Sequence, residues 1–416
     1  MPLDLVATLS DLVALPSVNP MGRSVAAAEF FEHRVTDYLQ RLLIHFQIPS
    51  YRQPIAPSRE NLLGRLDGDV PPEDGGELLL FEAHQDTVGV EGMTIEPWTP
   101  TIRDGRLYGR GSCDVKGGLT AMLGAIVRLA EERSKPRASD SEPRPTVILA
   151  CTVNEEHGFS GAKGLCKLWS EAPFGFLRRA PDAAIVAEPT ELKIVVAHKG
   201  MVRWRCHTHG RAAHSSNPAL GDNAIYRMAR VVELLERYAR EVLPRQGEHP
   251  LCGRPTLSVG TIAGGSGVNT VPDGCTIEID HRLLPGDDPQ TAWRRTIDYV
   301  SAQLGDAAAV QHIEHEPPLM HSGGLSDEAN GALADRLAVA IHEVTGTAGR
   351  IGVPFGTDAA VFSAAGVPTV VFGPGSIEQA HTADEWIALD QLPQASEILY
   401  RMMHNGLGAP TASPHR

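Results

Sequence analysis

Four short apolar runs bounded by turn residues punctuate the chain: Glu77–Ala83 (ELLLFEA), Thr146–Val153 (TVILACTV), Ala183–Ala187 (AAIVA) and Pro368–Phe372 (PTVVF). They lack the alternation of a half-exposed strand. They therefore predict strands covered on both faces, as in a parallel sheet. Helical periodicity fills the intervals, for example over Lys116–Arg133 and Ala332–Val344, and Leu3, Val6, Leu9, Leu12 and Val13 predict an amphipathic helix at the N-terminus. Strand and helix in alternation predict an α/β layered fold.

The texture changes between about His198 and Pro317. Met201–Gly210 alternates like a strand, Asn223–Arg240 is an amphipathic helix, and Thr256–Ala263 and Cys275–Leu284 read as strands. Thr291–Leu304 is a second helix and Ala309–Glu316 a last strand. Strand–helix–strand–strand–helix–strand is a ferredoxin-like α+β order. The expected organisation is a first domain in two parts, residues 1–197 and 318–416, with a second domain inserted at 198–317. The polar, proline-rich Ser134–Pro145 is expected to be a surface loop and Gly406–Arg416 a frayed tail.

Composition narrows the function. The 416 residues carry a formal charge of −14, which disfavours a nucleic-acid partner. No apolar stretch reaches the roughly 18 residues of a membrane span. The N-terminus has no basic segment or cleavage site of a secretory signal. The six cysteines are scattered without a CxxC pair, so the expectation is reduced thiols and the cytoplasm.

Chemistry appears where the predicted strands end. ELLLFEA runs into His84 and Asp86 (HQD), TVILACTV into Glu155 and Glu156 (NEEHG), and AAIVA into Glu188. PTVVF leads through a loop to His381, and Asp114 sits in the glycine-bracketed GRGSCDVKGG before a helix. Ligands of open α/β sheets bind outside the carboxyl ends of the strands, so these residues are candidates for one site. Each alone reads as a cap or a solvated acid; the joint placement favours a metal centre. His84 and Asp86 share one face of an extended segment, so the Asp86 carboxylate is expected to hold the His84 ring nitrogen that faces away from metal. Of two adjacent glutamates, one can bind metal while the other stays a base. Imidazole and carboxylate donors without thiolate suit catalytic zinc, with cobalt or manganese as substitutes.

These motifs resemble the metallopeptidase family of acetylornithine deacetylases, succinyl-diaminopimelate desuccinylases, aminoacylases and glutamate-releasing carboxypeptidases, over nearly the whole chain. The resemblance implies a zinc-exopeptidase-like α/β/α catalytic domain and an inserted lid and dimerisation domain. It implies two zinc ions per subunit: His84 and Glu188 on one, Glu156 and His381 on the other, Asp114 bridging. Glu155 would be the general base and Asp86 would orient His84. His214 (GRAAHSSNP) would stabilise the oxyanion across a homodimer, and Asn269 (GGSGVNTVP) and Arg282 (DHRLLPG) would hold the substrate's carboxylate.

SCDVKGG, AHKG, HSSNPALGDNAI and FGPGSIEQAHTADEW look most like acetylornithine deacetylases. NEEHG is closer to the wider family. The expected reaction is cleavage of a small N-acyl amino acid, of the kind used in arginine biosynthesis. Desuccinylase, aminoacylase, dipeptidase or carboxypeptidase activity is the alternative, and a non-catalytic binding protein on this fold is the rival from another class. GRGSCD lacks the third glycine of a dinucleotide turn, and no GxxxxGK[ST], HExxH or GxSxG is present. Asp114 beside Cys113 disfavours a thiolate nucleophile.

Overall fold

A computed structural model describes residues 2–25, 27–135, 143–170, 176–305 and 310–408. Most of the expected loop at 134–145, the first residue of the expected strand at 309–316 and most of the expected tail at 406–416 lie outside them. The chain packs into two units: Met1–Val196 with Asp327–Ile351 and Thr357–Arg416, and Ala197–Ser326 with Gly352–Gly356.

Among the described residues, the main sheet, built chiefly from the first unit, has eight strands. Their order is Ser50–Ala56, Arg59–Leu66, Thr146–Thr152, Leu78–His84, Ala183–Val186, Thr369–Val371, Ile194–His198 and Arg350–Val353. The central four run parallel and are buried at every position, which is why their sequences are unbroken apolar runs. The first two strands form an antiparallel hairpin on Thr146–Thr152. Their sequences, SYRQPIA and RENLLGRL, mix charge with apolar residues and gave no strand signal.

Helices Gly117–Arg133, Gly331–Thr345 and Gln391–Asn405 cover the sheet through Leu119, Met122, Ile126, Leu333, Leu337, Ile398 and Leu399, all in one core with Leu79 and Phe81. Each such side chain contributes about 2 kcal/mol by leaving water. The N-terminal helix, Leu5–Val13, is capped by Asp4, whose carboxylate accepts from Val6 and Ala7 N–H. The six cysteines form no disulfide among the described residues. No helix there is long and apolar enough to cross a membrane.

The second unit is ferredoxin-like. Strands Gly200–His209, Thr256–Gly264, Gly274–Leu283 and Ile313–His315 lie in the order second, third, first, fourth, all antiparallel. Helices Ala224–Arg237 and Pro289–Leu304 begin at Asn223 and Asp288, whose side chains accept from Tyr226 and Thr291 N–H. Strand Gly274–Leu283 buries every second residue. The opposite face carries cross-strand pairs: Arg203 with Asp280, Arg205 with Glu278, His207 with Glu316. This unit continues to Ser326, past the expected end at 317. Met320–Ser322 adds to the sheet beside Met201–Arg203, and His198 bridges to Leu325.

Candidate metal centre

The parallel register places the ends of Leu78–His84, Thr146–Thr152 and Ala183–Val186 at one edge of the sheet. His84, Glu155 and Glu188 present ligand atoms within 4.8 Å of one another there, and so do His84, Asp114 and Glu156. His84 Nε2 lies 3.1 Å from one oxygen of Asp114. His381 Nε2 lies 3.2 Å from the other and 3.3 Å from Glu156 Oε1. Asp114 thus stands between the two imidazoles. All six residues expected as ligands or base, His84, Asp114, Glu155, Glu156, Glu188 and His381, come together in the first unit.

The charge is out of balance. Burial pushes the carboxyls of Glu155, Glu156 and Glu188 upward, reinforced by their neighbours' charges. Burial works against a charged His84, but the Asp114 bond and the Glu155 charge outweigh it and raise the imidazole. Hydrogen bonds that His381 donates to the Asp114 and Glu156 carboxylates raise its imidazole. Oxygen and imidazole donors at this density, with more negative charge than their own partners neutralise, fit divalent cations of the zinc type. The thiol nearest them is held away from metal chemistry: Cys113 Sγ faces the Ser376 carbonyl at 3.2 Å, and burial pushes it up.

Asp86 does something other than the HQD spacing predicts. His84 Nδ1 donates to the Asp86 main-chain carbonyl at 2.9 Å, while the carboxylate is 3.8 Å away. The side chain instead turns to the next strand end and accepts from Glu155 and Glu156 N–H, each at 3.2 Å. A carboxylate gains more from amide donors without other acceptors than from a ring the carbonyl already holds. Asp86 therefore shapes the turn that carries both glutamates.

Sequence reasoning missed three supporting groups. Glu385 is fully buried, and one of its oxygens accepts from Cys113 and Asp114 N–H at 2.9 and 3.0 Å. The other accepts from Gly111 N–H at 3.0 Å and Arg110 Nη1 at 2.7 Å. The loop needs glycine at 111, where φ is +80° and a Cβ would sit 2.7 Å from Thr87 Cγ2. Behind His84, Glu82 and Asp358 both bond Thr152 Oγ1, and burial raises both carboxyls. Glu82 had a visible signal, an acid inside an apolar strand. Glu385, four residues after His381, had none that separates it from a solvated acid. The third is Asn19, which bridges Asp86 and Asn154.

The remaining candidates lie in the second unit. His214 and Asn269 meet on a two-stranded ribbon: His214 pairs with Thr270, and Ser215 N–H donates to the Asn269 carbonyl at 3.0 Å. Ser216 N–H donates to His214 Nδ1 at 3.2 Å, and Ser216 Oγ lies 2.7 Å from the same nitrogen, so Nε2 is the ring nitrogen left facing outward from this loop contact. Arg282 sits on the polar face of its sheet, its Nε 2.8 Å from Asp280 Oδ1.

Residues 80–405 match the family model described as peptidase family M20/M25/M40. The chain is 31% identical over 388 residues to an acetylornithine deacetylase of Vibrio cholerae, covering 89% of each. An M20 family metallo-carboxypeptidase of Sulfolobus solfataricus superposes with a TM-score of 0.74 at 18% identity, covering 96% of this chain and 98% of that one. The Bacillus subtilis YxeP protein, a dinuclear metal-binding peptidase, gives 0.64 at 15% identity and 96% of each chain. The chain belongs to peptidase family M20/M25/M40.

Proposed function

We propose that this member of the M20 family is a dinuclear zinc amidohydrolase that removes the acyl group from a small N-acyl amino acid, with N-acetylornithine-type deacetylation as its reaction. The observation that carries the proposal is the convergence of His84, Asp114, Glu155, Glu156, Glu188 and His381 at one sheet edge. His84 and Glu188 would hold one ion, Glu156 and His381 the other, with Asp114 between them. Divalent ions bound there supply a Lewis acid for the amide oxygen and acidify a water. Cobalt or manganese suits the same donors.

Within that frame Glu155 is the general base. Its partner's main-chain N–H and its own are fixed by Asp86, so its carboxyl projects from a defined turn. It takes the proton of the attacking water and passes it to the leaving nitrogen. Asn269 and Arg282 hold the substrate's carboxylate, Arg282 exchanging part of its pairing with Asp280 for a two-pronged contact. His214 offers its Nε2–H to the oxyanion from a partner subunit, a donor of about 3 kcal/mol in typical sites. The homodimer forms through the second unit. Its edge strand Thr256–Gly264 leaves Ile262 60% exposed, and Tyr226 is 70% exposed on the neighbouring helix. The enzyme works in the cytoplasm.

The deciding assay is a panel of N-acetyl, N-succinyl and dipeptide substrates with zinc and with cobalt. N-acetylornithine is expected to give the highest kcat/KM; preference for N-succinyl-diaminopimelate or a dipeptide moves the assignment within the family. Glu155→Gln is expected to keep its metal and lose roughly 100-fold or more in kcat. Full activity in a metal-free preparation would overturn the reading.

A further inference from the structure

We infer that Asn19 is a positioning residue for the Glu155–Glu156 turn, acting through Asp86. The inference rests on the reading above, in which these glutamates serve a hydrolytic centre. Asn19 lies far away in sequence, after the N-terminal helix, and is fully buried. Its backbone is pinned: Asn19 N–H donates to the Thr87 carbonyl at 2.8 Å, and Val18 bridges to both Thr87 and Phe30. Its side-chain oxygen accepts from Met21 N–H at 2.9 Å, which fixes the amide's orientation and aims both Nδ2 protons at the site.

Those two protons are fully used. One goes to Asp86 Oδ2 at 2.7 Å and the other to Asn154 Oδ1 at 3.0 Å. Asp86 in turn accepts from Glu155 and Glu156 N–H. Asn154 opens the same turn with a left-handed φ of +66°, a conformation that needs support in a residue other than glycine. Its N–H is held by Glu32 Oε1 at 3.3 Å, and its Nδ2 by Ser160 Oγ at 2.9 Å. One amide thus joins the carboxylate that holds the two glutamates to the residue that sets their turn. A hydroxyl could serve only one of the two acceptors, and a carboxylate neither.

The test uses Asn19→Asp, which keeps the shape and replaces donors by acceptors. Three readouts are taken on the full-length protein: hydrogen exchange of the 153–159 segment, cobalt binding, and kcat and KM. Exchange at the Glu155 and Glu156 amides is expected to speed up by about tenfold or more, while the Thr146–Thr152 strand stays protected. The expected kcat falls about 30-fold, the order of one hydrogen bond to a charged acceptor, with KM within about twofold and two cobalt ions still bound.

Leu399→Ala, a core change in the Gln391–Asn405 helix, supplies a control of comparable lost stability; it is expected to leave kcat unchanged below its melting temperature. If Asn19→Asp does not fold, Asn19→Ser makes the same comparison. Unaltered exchange in 153–159, or a kcat loss that Leu399→Ala reproduces, overturns the inference. Should the wild-type protein hydrolyse nothing in the panel, the functional reading fails by itself, and exchange alone decides the role of Asn19.

Discussion

Replacing Glu385 by glutamine removes one charge and changes one oxygen into a donor, at a place where every neighbour is itself a donor. Arg110 Nη1 and the N–H groups of Gly111, Cys113 and Asp114 all point at this carboxylate, between 2.7 and 3.0 Å. The glutamine can turn its oxygen to one pair, and its NH2 then faces the other. Two buried donors left without an acceptor cost about 1–3 kcal/mol each. Arg110, whose side chain is 4% exposed, keeps its charge without a counter-charge. Partial relaxation of the loop offsets some of this, so the expected loss is on the order of 4 kcal/mol.

The assay is urea unfolding of the metal-free protein, so that bound metal does not mask the difference. Cobalt titration follows, because the same carboxylate fixes the main chain at Asp114; cobalt affinity is expected to fall at least tenfold. Arg110→Met isolates the ion pair: the double variant is expected to be more stable than the sum of the single losses predicts, by about 2 kcal/mol. A loss below about 1 kcal/mol, or strict additivity, would refute the reasoning.

Other expectations follow from the same physics. Removing metal leaves the carboxyls of Asp114, Glu155, Glu156 and Glu188 crowded, and zinc at a thousand times its dissociation constant is expected to add about 4 kcal/mol of stability, read as a rise in melting temperature. His281 is 1% exposed, burial lowers it from 6.5 to about 4, and its ring nitrogens have no hydrogen-bond partner among the described residues. The unfolded chain therefore binds the extra proton between those values, and stability is lost as pH falls from 6.5 towards 4, by at most roughly 3 kcal/mol. His281→Phe is expected to flatten that part of the profile; an unchanged acid slope counts against it. Mixed dimers of His214→Ala with Glu155→Gln are expected to recover activity that neither parent has, if His214 acts across subunits. Verified mixed dimers without recovery exclude that arrangement.

Two properties of this chain were readable along the sequence, because local pattern carries them. Strands buried on both faces must be apolar at every position, so the four central strands announced themselves, and the residues just past them were candidates for one edge. Period-two and helical patterns likewise marked the ferredoxin-like unit. The hairpin Ser50–Leu66 was silent because its mixed composition has no period.

What the pattern could not carry is who bonds whom. The HQD spacing puts Asp86 and His84 on one face, yet the carboxylate's partners are the Asn19 side-chain amide and two main-chain amides in the turn after the neighbouring strand, a turn brought near only by parallel pairing. Glu385 and Asn19 are, in sequence, an ordinary acid and an ordinary loop amide. Burial turned each into the acceptor or donor that several distant groups share, and burial is a property of packing, which no local window contains.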